Sequence, residues 1–154
     1  MITEQSATDL PQLQSGLVAT FGEALADAPL RALQLARGAC QAAGREAAFA
    51  RAVAVARLLL VQGADPDTVS AALISGALPE AELDLEGIQG AFGEELAQLL
   101  KGLARAGRIE ALATAGADPE QLRKMLLAIA EDVRVVLIKL AERVVYLRSI
   151  TRAD

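Results

Sequence analysis

Few residues in this chain can do chemistry, and their types exclude most mechanisms. It contains no histidine, which removes the commonest general base and the commonest metal ligand together. Its one cysteine, Cys40 in "ARGACQAAG", excludes an internal disulfide and a cysteine-based zinc site, and reads as a small buried apolar residue on a helix. Ser75 could serve as a nucleophile only with a neighbouring base, which no histidine supplies. Glu80, Glu82 and Asp84 form a short acidic run that reads as a solvated loop before it reads as an ion site. Arg105 and Arg108 in "ARAGRIE" are placed to meet a phosphate, although helix-end charges exposed to water describe them equally simply.

These residues must be positioned by helices. Hydrophobic residues make up 53% of the 154, aromatics only 3%, and the apolar content is largely Ala, Leu, Val and Ile, a composition that suits close-packed helices in one domain. A net charge of −5 with no basic face argues against direct nucleic-acid binding, and the "RKM" at 123–125 is too short to alter that. The start has no secretory pattern and no apolar run approaches a membrane span, so a cytoplasmic location without membrane contact is expected.

Residues 1–8 are polar and expected to fray. Leu13, Leu17, Phe21 and Leu25 recur every four residues and predict a helix over 10–26. Asp27 with Pro29 predicts a new helix start, ended by Gly44. The stretch 46–62 is apolar on more than one face and is expected to be central, with Gly63 as its stop. Asp65-Pro66 and Asp118-Pro119 are cap-then-proline starts, Asp84 caps a short helix that Gly93 ends, and Asp132 divides the last long stretch into two helices. In the final helix Val133, Val136, Leu137, Leu140, Val144 and Leu147 lie three and four apart and are expected to face the core. On that reading Leu140→Ala would cost about 2–5 kcal/mol.

The stretch "RKMLLAIAEDVRVVLIKLAERVVYLRSI" closely resembles the hydrolase-domain signature of the long RelA/SpoT-type proteins, which make and degrade the alarmone (p)ppGpp in the stringent response. "VAVARLL", "ADPDTVSAAL" and "LDLEGIQGAFGEELAQLLKGLARAGRIE" follow that family in order and spacing. The resemblance covers about residues 45–150. It implies an all-α fold, an HD-domain helical bundle of about seven or eight helices, with 9–154 forming a single degenerate HD domain. Active members hold a manganese ion through a His, a His-Asp pair and a later Asp, and a Glu-Asp pair helps to activate water.

Carried over by alignment, the first His becomes Arg51 and the His-Asp pair becomes Ser75 and Gly76. The Glu-Asp pair becomes Pro79 and Glu80, the late Asp becomes Glu142, and a following His-Asn becomes Val145 and Tyr146 at nucleotide-contact positions. The family's nucleotide-gripping loop is reduced to "AAGREAAFA". Only Glu142 keeps an oxygen donor among the four ligand positions, too little to hold a catalytic divalent ion. No metal, cofactor or catalytic residue is therefore expected, and an Arg51–Glu142 salt bridge is expected to fill the vacated site.

This pattern of loss resembles RelA-like GTP pyrophosphokinases, whose hydrolase domain is degenerate. The resemblance implies a structural or regulatory role towards a downstream synthetase domain in cis, with the ribosome reached only through the rest of such a protein. Two alternatives stand beside it: a guanosine-nucleotide sensor that binds without cleaving, and an active phosphohydrolase with a rebuilt site.

Overall fold

A computed structural model describes residues 3–130 and 132–152, with side chains described for 9–130 and 132–151. The described chain is seven α-helices and one 3-10 turn: α1 (Thr3–Ala43), α2 (Glu46–Val61), α3 (Pro66–Ala77), the turn Glu80–Glu82, α4 (Leu85–Phe92), α5 (Glu94–Thr114), α6 (Pro119–Ile129) and α7 (Val133–Arg152). No strand occurs among the described residues, which agrees with the expected all-α bundle.

The helix starts follow their capping chemistry. Asp65 accepts the Thr68 N–H at 2.8 Å, Asp84 that of Gly87 at 3.2 Å, Asp118 that of Glu120 at 3.3 Å, and Asp132 that of Arg134 at 3.0 Å. Each side chain satisfies a backbone donor that the first helical turn leaves without a partner.

The first helix departs from expectation. It begins at Thr3, so the backbone of 3–8 is helical, while Met1 and Ile2 lie outside the described residues. Its break falls at Gly22 (φ 79°, ψ 166°), a conformation open to glycine and not to an L side chain, and not at Asp27. Asp27 instead pairs with Arg31 one turn on, at 2.9 Å. The break also rotates the apolar stripe: Leu13 and Leu17 are fully buried, Phe21 packs against the core, Leu25 is exposed, and Ala26 takes its place inside.

The core lies where α1, α2 and α3 pack on one another and where α5 and α7 close over them. The most enclosed helix is α3, whose residues Thr68 to Ile74 are all buried, rather than the expected α2. Its buried Ser70 hydroxyl donates to the Pro66 carbonyl at 2.7 Å, so a polar group sits in the core without an open hydrogen bond. Cys40 is buried as expected, with its thiol directed at the Ala77 carbonyl (3.7 Å), and burial pushes its pKa up, opposed by the Arg45 charge.

The expected orientation of α7 holds for Leu137, which is half-buried against the core, and is wrong for Val133, Leu140, Val144 and Leu147, which are exposed. Val135, Ile138 and Ala141 are buried and Val145 packs beside them, whereas Val133 is 73% exposed, Leu140 59% and Leu147 51%. Both sides of this helix are apolar, so periodicity alone offered two solutions. The structure takes the one that turns Leu140 outward, and the expected cost of Leu140→Ala falls with it.

Candidate functional site

A cleft of about 310 Å³ opens between the end of α3, the 3-10 turn, α5 and α7. Leu78, Leu83, Leu100 and Leu103 make its apolar floor, and Ser75, Glu80, Arg108, Lys139 and Glu142 supply its polar groups. Helical spacing brings these together. Ser75 is on the last turn of α3, Pro79 turns the chain so that Glu80 follows at the rim, and Glu142 stands three residues after Lys139 on α7.

The charges in the cleft answer one another. Arg108 is ion-paired to Glu80 across it, and both side chains are about half exposed. The Lys139 ammonium lies 3.2 Å from Glu142 and 3.8 Å from Glu110. The Ser75 hydroxyl has only a long contact, 3.5 Å, to the Ala72 carbonyl of its own helix. Behind the turn, Arg45 reaches Glu82 at 2.9 Å and ties the start of α2 to the same rim.

Of the positions picked out in the sequence, Ser75, Pro79, Glu80 and Glu142 line this one cleft. Gly76 faces α2 instead: a Cβ built on it would lie 2.9 Å from the Ala52 Cβ and 3.3 Å from the Ala52 Cα. Arg51 is exposed on α2 and enters no ion pair among the described residues. The expected Arg51–Glu142 salt bridge is therefore not formed, because the Glu142 carboxylate is already held by Lys139 on its own helix. Val145 is half-buried against the core, and Tyr146 is exposed with the Arg143 guanidinium 5.4 Å from its ring centre. Sequence reading missed Lys139 as a cleft residue and left Arg108 undecided. The spacing of Lys139 to Glu142 was the available signal.

A second charged cluster lies at the opposite ends of the same helices. Arg134 contacts Asp132 (3.3 Å), Glu95 (3.3 Å) and Asp65 (3.7 Å), joining the starts of α3, α5 and α7. Burial alone would lower the Arg134 pKa, but its hydrogen bond to Asp132 and the surrounding carboxylates raise it overall. Burial raises the pKa of neighbouring Asp67, reinforced by Asp65 and Glu95 and opposed by Arg134.

Residues 32–154 match the HD-domain family. The chain belongs to that family. Among individual relatives it is 35% identical over 98 residues to a guanosine-3′,5′-bis(diphosphate) 3′-pyrophosphohydrolase of Vibrio cholerae, a match covering 64% of this chain. It is 33% identical over 102 residues, 66% of its length, to the GTP pyrophosphokinase rsh of Brucella melitensis. To the bifunctional (p)ppGpp synthase/hydrolase SpoT of Escherichia coli it is 32% identical over 98 residues, 64% of its length. Each match spans 14% of the relative. The HD domain is thus homologous to part of the RelA/SpoT proteins, as the sequence resemblance implied.

The residues present do not fit the metal centre that the resemblance attaches to active members. No group of three or more His, Cys, Asp or Glu side chains able to hold a metal ion occurs among the described residues. The two carboxylates of the cleft sit on separate cations, so an incoming divalent ion would have to displace Arg108 and Lys139. No described helix is long and apolar enough to cross a membrane.

Proposed function

We propose that this HD domain does not hydrolyse (p)ppGpp and serves a structural or regulatory role towards a pyrophosphate-transferring synthetase domain of the same protein, in the cytoplasm. The observation that carries the reading is the internal neutralisation of the cleft. Its carboxylates, Glu80 and Glu142, are each paired to a basic side chain, and the Ser75 hydroxyl has only its long contact to the Ala72 carbonyl. Cleavage of a phosphate ester needs an activated water, from a metal ion or from a general base with open access to one. A carboxylate whose oxygens are taken by an ammonium or guanidinium is less open to a metal ion or an incoming water. Residues 9–154 would form one such domain, and the names of the relatives supply the substrate class and the synthetase partner.

A guanosine-nucleotide sensor is the second reading. It is supported by the presence of Arg108 and Lys139 at the cleft, and weakened by their engagement with Glu80 and Glu142. Incubation with 3′-labelled (p)ppGpp and manganese separates these readings from an enzyme: no pyrophosphate should be released above a protein-free control. Release that a chelator abolishes, and that Glu80→Ala or Glu142→Ala removes, overturns the proposal. Calorimetry with (p)ppGpp and GTP then distinguishes the sensor from the purely structural domain.

A further inference from the structure

The outward side of α7 is an apolar seam that nothing in the described chain covers. Val133, Leu140 and Leu147 follow one another at seven-residue intervals with exposed Val144 between the last two, while Leu137, at the other alternate position, is half-buried against the core and borders the seam. This is the alternating three-and-four spacing with which one helix packs along another. A helix apolar on both sides belongs inside an assembly. Here the inner side of α7, through Val135, Ile138, Ala141 and Val145, is already packed against α2 and α5.

The flanks of the seam identify its occupant. The residues beside it are Arg134, Ala141 and Arg148 on one edge and Val136, Arg143 and Ile150 on the other; Arg134 is already held by Asp132, Glu95 and Asp65, and the exposed charges left along the seam, Arg143 and Arg148, are both positive. Glu142, the carboxylate of this part of α7, points the other way, into the cleft. Basic flanks stand out in a chain of net charge −5. A second copy of α7 laid along this seam, in either direction, would set arginine against arginine or against an apolar residue, with no ion pair gained. We propose that the outer face of α7 docks an amphipathic partner helix whose apolar seam is flanked by Glu or Asp, and that this contact is how the HD domain is held by another protein segment. The inference is independent of whether the cleft is catalytic.

The test uses two synthetic helical peptides of about three heptads with Leu at the seam, one with Glu and one with Lys at the flanking positions. Binding to the whole chain is followed by fluorescence anisotropy at low and at physiological salt. The Glu-flanked peptide should bind at least about tenfold more tightly than the Lys-flanked one, with the difference shrinking as salt rises. Arg143→Glu with Arg148→Glu should reverse that preference. Leu140→Glu should abolish binding and leave the helical circular dichroism unchanged, since this side chain already faces water. Two results overturn the proposal: equal or absent binding of both peptides, or a concentration-dependent dimer of the chain in sedimentation that Leu140→Glu dissolves, which would make a second copy the occupant.

Discussion

Replacing Gly76 with alanine tests how this position, aligned by resemblance with a metal ligand, is used in the fold. A Cβ there would meet the Ala52 Cβ at 2.9 Å, about 0.6 Å inside the ~3.5 Å at which carbon atoms begin to attract. Neither partner has a torsion that relieves this, because one is a methyl and the other a new Cβ on a helix backbone. Hence α2 and α3 must separate. Overpacking of this kind costs about 1–3 kcal/mol, while alanine gains about 0.5–1 kcal/mol over glycine inside a helix, so the net effect is a loss of about 0–2.5 kcal/mol. Gly38→Ala is the control: its Cβ would meet nothing within 4 Å, and it should stabilise by about 0.5–1 kcal/mol. In urea denaturation the two variants should move in opposite directions. Adding Ala52→Gly to Gly76→Ala should recover part of the loss, with a coupling of about 0.5–3 kcal/mol. Equal stabilisation by Gly76→Ala and Gly38→Ala would refute the argument. An aspartate at this position meets the same obstacle, so restoring acidic ligands requires space at Ala52 as well.

Ile138→Ala should cost about 2–5 kcal/mol in chemical denaturation, and Leu140→Ala less than about 1 kcal/mol, because only the first is buried. The reverse order would put the other face of α7 inward. Glu142→Ala should cost about 1 kcal/mol or less, since its pair with Lys139 is partly solvated. A loss above about 3 kcal/mol would show a buried charge left without its partner. Asp67 has a folded-state pKa above its ordinary 3.8, so its ionisation disfavours the fold; that stability is fully present below 3.8 and lost as pH rises through the folded value. Asp67→Asn should therefore be more favourable relative to the unaltered chain at neutral pH than below pH 3.8, as read by thermal melts across pH. A pH-independent difference would contradict this sign.

The helical boundaries were legible where one residue does one job. Asp65 and Asp118 before proline, Asp84, and Asp132 each cap the helix they were expected to cap, since a side-chain acceptor next to free backbone N–H groups has one good use. Where two solutions had similar local energies, sequence could not choose. The Asp27-Pro29 pair reads as the break in α1, but the chain breaks at Gly22, whose φ of 79° is open to glycine and not to an L side chain. The inner and outer faces of α7 are both apolar, so packing against α2 and α5 decided which went in. Alignment brought Ser75, Pro79, Glu80 and Glu142 to one cleft. It did not foresee that Lys139, a turn away on the same helix, reaches Glu142 with less loss of side-chain freedom than Arg51 on α2 would need.

The proposed absence of a metal centre is the point on which the functional proposal turns, and manganese titration reads it without any assumption about substrate. Metal-free protein titrated with Mn²⁺ and followed by electron paramagnetic resonance should leave the free-ion signal undiminished through the micromolar range. Saturable uptake of one ion per chain, lost in Glu142→Ala or Glu80→Ala, would contradict the account.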